Sequence, residues 1–271
     1  MNLSNFGAVI LSAGKGTRLG CIDKPKVMME IGGKPIVSYL IETLKSTGLE
    51  REQICLVVGF CKEKVMEYFD GQTIYAEQKE LLGTAHAAYT GMLALPKNIT
   101  QVLVMNGDDG AFYSGETLEK FMQAHAESGA ALSLLSVELE DPTMYGRIVH
   151  DENGAVHIIE KEYLTEAQKK ISEVSTGTFC FNREWYEKMF PTMPKMIKIN
   201  EFGLPTTFSI ANEQGKKIRV VKLENNSEWF GINTSEELER ADKLKKAELN
   251  HKFKIINPKY AKHINGSLGT N

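Results

Sequence analysis

The chain has 271 residues, 42% of them hydrophobic and 25% charged, which is enough for one large α/β domain with its own core. Its formal net charge of −3 argues against nucleic acid or an anionic membrane as a partner and leaves small anionic substrates open. The four cysteines lack metal-ligand spacing, no secretory signal precedes the first apolar run, and no apolar stretch approaches membrane-spanning length. We therefore expect a cytoplasmic protein and leave oligomer formation open.

The first 110 residues alternate short apolar runs with helical periodicity. The apolar runs fall at 8–11, 54–58 and 102–105, and the helical patterns at 36–44, in a charged segment through 69, and at 84–95. This alternation predicts βαβ units and a parallel sheet. The run at 102–105 is uninterrupted, as in strands buried in the middle of such a sheet.

After a predicted helix near 117–127 the pattern changes to short strands. We predict them at 131–137, 147–150, 156–160 and 178–181, and we expect a mixed sheet that carries the second substrate. The segment from Asp151 to Gly154 is typical of a hairpin turn. A charged helical pattern over 235–249 and a tail that we predict to be mobile follow.

A glycine-rich segment, Leu11–Arg18, directly follows the first predicted strand. Its backbone amides are then aimed from the carboxyl edge of the sheet, where Gly14 and Gly16 permit close approach of a phosphate. Arg18 and the downstream Lys26 supply positive charge for a departing pyrophosphate. Two glycines alone also suit a sharp turn with no ligand. The spacing matches neither the Rossmann nor the Walker pattern.

Together these motifs resemble the sugar-nucleotide pyrophosphorylases, whose signature is Gly-x-Gly-Thr-Arg followed by Pro-Lys. The resemblance runs from about Ala8 to Leu238 and is closest to the uridylyltransferase domain of bacterial N-acetylglucosamine-1-phosphate uridylyltransferases. It implies a Rossmann-like three-layer α/β/α, GT-A-like nucleotidyltransferase fold with a mixed, mostly parallel central sheet. It further implies a nucleotide-binding half over 1–110, a sugar-binding half over 111–234, and a C-terminal helix and tail over 235–271.

The resemblance also assigns the nucleotide site. It implies that the triphosphate is bound by Leu11, Ala13, Gly14, Gly16 and Thr17, with Arg18 and Lys26 as the catalytic cations. The matching family residues place Gln78, Gly83 and Thr84 at the base, where an amide and a hydroxyl suit the polar edge of uracil. The structural alternative is that Gly83 and Thr84 begin a helix, with Thr84 as its N-cap.

The same resemblance implies a magnesium site formed by Asp108 and Asn233. Oxygen donors of this kind suit Mg²⁺, which keeps several waters and takes further ligands from substrate phosphates, so two protein ligands suffice. An Asp after a strand is also common as a turn or cap residue. The neighbouring Asp109 departs from the family, which has an apolar residue there. We interpret it as a solvated turn residue, with a second magnesium contact as the less favoured alternative.

On the sugar side the resemblance implies contacts from Gly146, Glu160, Ser175 and Thr176. Glu160 also fits a solvated charge run, the commoner situation for glutamate. Two departures bear on the sugar, because Ser175 replaces an asparagine and Gly203 replaces an aromatic residue. We expect the first to lose or water-bridge a hydrogen bond and the second to remove a wall of the acyl pocket.

The expected reaction is therefore Mg²⁺-dependent transfer of a uridylyl group from UTP to a sugar 1-phosphate. The first candidate for this substrate is N-acetylglucosamine 1-phosphate. A different sugar or base (glucose 1-phosphate, dTTP or CTP) and a non-catalytic sugar-nucleotide-binding subunit are the alternatives. The sequence has no hexapeptide repeat, so acetyl-CoA chemistry is not predicted. We assign no role to His86 and His125, since a single histidine in a helical apolar pattern usually packs.

Overall fold

The computed structural model of the chain describes residues 3–16, 19–20 and 23–256, the side chains of 253–256 excepted. The predicted site residues Thr17 and Arg18, and the tail from 257 onward, lie outside the described residues. The strands are β1 (Phe6–Ser12), β2 (Glu30–Ile31), β3 (Lys34–Pro35), β4 (Ile54–Val58), β5 (Ile74–Glu77), β6 (Gln101–Asn106), β7 (Leu132–Glu138), β8 (Arg147–His150), β9 (Val156–Ile159), β10 (Glu173–Asn182) and β11 (Ile218–Lys222). The helices are α1 (Ile36–Ser46), α2 (Lys62–Tyr68), α3 (Thr84–Ala94), α4 (Gly115–Ser128), α5 (Arg183–Met189), α6 (Thr206–Glu213) and α7 (Ser235–Ile256).

Seven of these strands form one sheet in the order β11-β7-β10-β6-β1-β4-β5. Strands β5, β4, β1 and β6 are parallel, whereas β10 pairs antiparallel with both β6 and β7. Because β7 and its parallel neighbour β11 both run with β6, β10 alone opposes the other six. The mixed, mostly parallel sheet is confirmed. The carboxyl ends of β1, β4, β5 and β6 consequently lie along one edge.

The two faces of the sheet bury separate apolar layers. Along β1, Val9 packs with residues of α3 and α5, and Ile10 packs with residues of α1 and α4. Both side chains are fully buried, and each contributes roughly 1.5–3 kcal/mol relative to exposure. Helix α3 lies so close to β1 that a Cβ on Gly91 would overlap the Val9 side chain. This arrangement is the expected three-layer α/β/α sandwich.

The sequence prediction found most elements of the first half and fewer of the second. Strands β5 and β11 and helices α5 and α6 were not predicted. Strands β8 and β9 pair only with each other, so they form a hairpin and are not part of the central sheet. The predicted turn is confirmed by hydrogen bonds from Gly154 N to Asp151 O (2.9 Å) and from Asp151 N to Ala155 O (3.0 Å).

Helix α7 packs against the domain. Asp242 Oδ1 accepts from the Gly32 amide at 2.8 Å, and the nearly buried Lys245 ammonium lies 4.5 Å from the centroids of the Tyr39 and Phe112 rings. Burial lowers the pKa of Lys245, whose ammonium also pairs with Glu248 at 2.7 Å. The domain boundary at 234 stays a prediction. Within the described ranges, no helix is long and apolar enough to cross a bilayer.

Candidate functional site

Two adjoining cavities open at the carboxyl edge of the parallel strands. The first has a volume of about 570 Å³ and the second about 420 Å³, both in the range of small-molecule sites. Ligands of open α/β sheets bind beyond this edge. The walls of the two cavities share Thr84, Asn106, Asp109 and Asn233. Two ligands that fill the cavities would therefore meet at these side chains.

The loop after β1 lines the first cavity, as the sequence predicts. Leu11, Ala13, Gly14 and Gly16 are all in its wall. The loop is fastened to the end of β4 because the Phe60 amide donates to the Ala13 carbonyl at 3.0 Å. Gly16 has a φ of 69°, in the left-handed region that favours glycine. The described part of this loop thus presents backbone to the cavity at the end of a buried strand.

Lys26 joins the two predicted metal ligands. It begins a short 3₁₀ turn, Lys26–Met28, and its ammonium is largely covered, with a side-chain exposure of 13%. The ammonium forms an ion pair with Asp108 and donates to Asn233 Oδ1 at 3.3 Å. Asp108 follows β6, while Asn233 lies more than a hundred residues later. A carboxylate and an amide oxygen from distant parts of the chain therefore converge on one cation.

The first turn of α7 fixes Asn233. Thr234 is the residue before the helix, and its Oγ1 accepts from the Glu237 amide at 3.1 Å. Glu237 Oε2 in return accepts from the amides of Thr234 at 2.9 Å and Asn233 at 2.6 Å. This is a capping box, which satisfies amides that the helix leaves unpaired. The helix start thereby orients the side chain that contacts Lys26.

The donor set suits a hard divalent cation. Asp108 and Asn233 already share one cationic partner, and both residues line the first cavity, where phosphates would bind. Among the residues described, no group of three or more His, Cys, Asp or Glu side chains is placed to hold a metal. A cation here would take the rest of its shell from water and substrate, as Mg²⁺ commonly does. The residues present fit the magnesium site that the sequence predicts.

Asp109 is half-buried and its Oδ1 atom is shielded from solvent, so its interpretation as a solvated turn residue is wrong. It lies in the turn that follows β6, and its Oδ2 accepts from Asn106 Nδ2 at 3.1 Å. Burial, and then the charge of Asp108, raise the pKa of Asp109 to about 7. A carboxyl group that titrates near neutrality thus lies in the shared wall of both cavities.

The three residues predicted at the base lie together in the first cavity. Gly83 has a φ of 108°, and a Cβ there would be 2.5 Å from the Phe202 carbonyl oxygen, so only glycine fits. Gly83 occupies the cap position of α3, and the interpretation of Thr84 as N-cap is wrong. Thr84 Oγ1 is instead an acceptor for the Leu204 amide at 3.0 Å. The turn at Gly83 and the segment 202–204 thus hold each other in place.

The second cavity contains all four predicted sugar residues. Gly146 packs against the end of β9, where a Cβ would lie 2.8 Å from the Ile159 carbonyl oxygen. Glu160 is half-buried in the wall, and burial followed by the charge of Glu162 raises its pKa. The alternative of a solvated charge run is therefore wrong for Glu160.

Ser175 and Thr176 lie on a bulge in β10. Ser175 Oγ accepts from the Gly177 amide at 3.1 Å, whereas Thr176 Oγ1 donates to the Leu135 carbonyl at 2.7 Å. The Thr176 hydroxyl is thus used within the sheet. Gly177 has a φ of 74°, and a Cβ there would overlap the Asn106 amide. Sequence analysis missed Gly177 and Asn106, although a glycine within a strand often marks a bulge.

Gly203 does not open the second cavity. It is buried, and a Cβ there would overlap the Met196 sulfur, so Met196 fills the space beside its α-carbon. The neighbouring Leu204 and Pro205 line the cavity instead. The expectation that Gly203 removes a wall is therefore wrong, because a side chain from the preceding loop fills the space.

Aromatic side chains form another wall that the sequence analysis did not identify. Tyr145 and Trp229 both line the second cavity, with ring centroids 5.3 Å apart in an edge-to-face arrangement. Trp229 Nε1 donates to the Thr176 carbonyl at 3.0 Å. In the sequence, only the position of Trp229 shortly before Asn233 suggests that it belongs to the site.

Comparison with known proteins identifies relatives of this arrangement. Residues 7–246 match the family described as nucleotidyl transferase. The "Bifunctional protein GlmU" of Caldicellulosiruptor saccharolyticus is 36% identical over 244 residues, 89% of this chain and 52% of that protein. The protein of the same name from Bacillus cytotoxicus is 35% identical over 254 residues, 92% of this chain and 54% of that protein.

A solved structure is similar in fold. It is a putative glucose-1-phosphate thymidylyltransferase from Bacillus anthracis in complex with a sucrose, with a TM-score of 0.72 and 17% identity. The match covers 89% of this chain and 95% of that one. The chain spans about half the length of the curated relatives that it matches. With the family match over nearly all of the described residues, the chain belongs to the nucleotidyl transferase family and is a nucleotidyltransferase.

Proposed function

We propose that this chain transfers a uridylyl group from UTP to a sugar 1-phosphate, with N-acetylglucosamine 1-phosphate as the first candidate, in a Mg²⁺-dependent reaction. The observation that carries the proposal is the junction of the two cavities. There Asn233, which lines both cavities, contacts Lys26, and Lys26 pairs with Asp108 in the wall of the first cavity. The family match supports nucleotidyl transfer, and the choice of substrates rests on the resemblance in the sequence motifs.

The reaction is an in-line displacement. An oxygen of the sugar 1-phosphate forms a bond to the α-phosphorus of UTP, and the bond from that phosphorus to the bridging oxygen breaks, which releases pyrophosphate. The nucleophile is already an anion, so no general base is required. Catalysis then depends on positioning the substrates and on neutralising charge in the transition state.

The described residues supply both effects. The Lys26 ammonium lies in the wall of the first cavity beside Asn233, and it stabilises the phosphoryl oxygens and the departing pyrophosphate. The predicted second cation, Arg18, is assigned the same role from sequence. A Mg²⁺ ion held by Asp108 and Asn233 would supply further charge neutralisation and polarise the phosphoryl group. The glycine-rich loop after β1 holds the triphosphate through its amides.

The sugar cavity favours a polyol and leaves its identity to experiment. Glu160 provides a half-buried acceptor, and Tyr145 and Trp229 provide an apolar wall against which a pyranose ring packs. Ser175 is shorter than the asparagine that the family resemblance implies, which favours glucose 1-phosphate as the second candidate sugar. Thymidylyl transfer is the second candidate reaction, because the similar solved structure bears that name.

A substrate panel tests the proposal. UTP, dTTP and CTP would each be combined with N-acetylglucosamine 1-phosphate or glucose 1-phosphate, and pyrophosphate release would be measured with and without Mg²⁺. We expect the largest kcat/KM for UTP with N-acetylglucosamine 1-phosphate, and no turnover after EDTA treatment. The absence of pyrophosphate release from every pair would contradict the proposal.

A further inference from the structure

Three groups at the base end of the first cavity are joined by hydrogen bonds. In order they are the His86 ring, the Gln78 side-chain amide and the Gly83 carbonyl. Gln78 is nearly buried, with 5% exposure, and lies just after β5, whereas His86 lies in the first turn of α3. The sequence analysis gave His86 no role.

The Gly83 carbonyl fixes which end of the Gln78 amide faces inward. A carbonyl oxygen only accepts, so the amide atom 3.0 Å from it must be the nitrogen. The same nitrogen lies 3.0 Å from His86 Nδ1. Its two hydrogens are therefore directed to Gly83 and His86. Only the carbonyl oxygen of Gln78, an acceptor, is left to meet a ligand in the cavity.

His86 must be neutral and must carry its hydrogen on the other ring nitrogen. Nδ1 can accept from Gln78 only if it has a free lone pair. The hydrogen of the neutral ring is then on Nε2. Burial lowers the pKa of His86, so the neutral form is favoured. The histidine thus holds the Gln78 amide in one of its two orientations.

Backbone donors lie beside this acceptor. The start of α3 leaves its first amides without helical partners. The Ala85 amide donates to the Phe202 carbonyl at 2.8 Å, but among the described residues none accepts from the amides of Gly83 and Thr84. Both residues line the cavity. The site therefore combines one acceptor with neighbouring donors.

We propose that His86 sets the base specificity of this enzyme by holding Gln78 so that its carbonyl oxygen faces the nucleobase. The site then selects a pyrimidine whose ring N3–H lies beside a carbonyl group, as in uracil and thymine. Cytosine has a bare N3 lone pair, which would face the Gln78 oxygen with no hydrogen between them. This inference rests on the proposed function only in taking a nucleoside triphosphate as the ligand. His86 acts through Gln78 and is a positioning residue.

Equilibrium binding of UTP and CTP in the presence of Mg²⁺ tests the inference directly. An unpaired buried acceptor costs about 1–3 kcal/mol, so the wild-type protein should prefer UTP by about fivefold to 150-fold. In His86→Ala one anchor of the amide is lost, and we expect the UTP-to-CTP affinity ratio to fall at least about fivefold. In His86→Asn an amide oxygen can take the place of Nδ1, so the ratio should be largely restored.

His150→Ala is the matched control, because His150 is exposed at the end of β8 and should leave the ratio unchanged. An unchanged ratio in folded His86→Ala, with both affinities reduced equally, would show a purely structural role and overturn the inference. A wild-type ratio near one would overturn it without any variant. Pyrophosphate release is measured separately, so selective binding without turnover would contradict the proposed function alone.

Discussion

The walls of the two cavities are built differently. The first is formed by loops at the ends of adjacent parallel strands, where Gly14, Gly16 and Gly83 present backbone to the ligand. The second is formed largely by side chains on the β8–β9 hairpin, the β10 bulge and the loop before α7, including Glu160 and Trp229. Phosphate recognition through backbone tolerates sequence change around it. Sugar recognition through side chains changes with single substitutions, and the departures from the family fall there.

The largest expected effect is at the junction of the two cavities. Lys26→Ala removes the ammonium that contacts Asp108 and Asn233. We expect kcat to fall by about two to four orders of magnitude, as for other electrostatic groups that act in the transition state. Lys34→Ala, which removes an exposed lysine paired with Glu42, is the control and should retain normal turnover. Near-normal turnover of Lys26→Ala would show that the Lys26 ammonium does not take part in catalysis.

The capping box links helix α7 to the metal ligands. Glu237→Ala removes the acceptor for the amides of Asn233 and Thr234. Groups that orient a metal ligand typically change metal affinity by about 10–100-fold, so the Mg²⁺ concentration for half-maximal rate should rise by about that factor. Glu237→Gln keeps one side-chain oxygen and should show a smaller rise. An unchanged Mg²⁺ dependence in both variants would show that the start of α7 does not orient the metal ligand Asn233.

The bulge of β10 in the wall of the second cavity requires glycine at residue 177. Gly177→Ala places a Cβ against the Asn106 amide at a positive φ, so we expect the free energy of unfolding to fall by about 2 kcal/mol. Gly14→Ala is the contrasting variant, since a Cβ there meets nothing within 4 Å. It should unfold like the wild type in urea and weaken only triphosphate binding. Equal destabilisation of both variants would show that the walls of the two cavities do not differ in how tightly they are packed around glycine.

The smallest effect concerns the choice of sugar. Ser175→Asn restores the longer amide side chain that the family resemblance implies, on the wall of the second cavity. One added hydrogen bond of about 1 kcal/mol should raise the kcat/KM ratio of N-acetylglucosamine 1-phosphate to glucose 1-phosphate about fivefold. Thr176→Ser keeps the hydroxyl that bonds within the sheet and should leave this ratio unchanged. A ratio that is indifferent to residue 175 would locate sugar selection elsewhere in the cavity.

The sequence predicted the features that depend on local pattern. Apolar runs located the parallel strands β1, β4 and β6, and the motifs named Lys26, Asp108 and Asn233, which lie together although Asn233 is distant in the chain. Strand β11 was missed because it lies at the sheet edge, where its residues are only partly covered and charged residues interrupt the apolar run. The alternation in β8 and β9 identified two strands but not their partners, because periodicity does not specify pairing.

The errors at the site share another cause. Asp109 was misjudged because its burial depends on the turn after β6, and Gly203 because Met196 packs against it. The roles of Gly177 and Thr84 likewise depend on contacts with Asn106 and Leu204. The contacts of Gly177 and Thr84 join segments that are distant in the chain, and those of Asp109 and Gly203 depend on how a local turn or loop folds, so composition and spacing indicate neither kind.

The central claim is that the two cavities bring a triphosphate and a sugar 1-phosphate together at Lys26. Phosphorus NMR of the protein with UTP, N-acetylglucosamine 1-phosphate and Mg²⁺ tests it most directly, because substrates, sugar nucleotide and pyrophosphate give separate signals. The account predicts sugar nucleotide and pyrophosphate in equal amounts with the wild-type chain, and neither with Lys26→Ala on the same timescale. Consumption of UTP to UMP, with the sugar 1-phosphate unchanged, would contradict it.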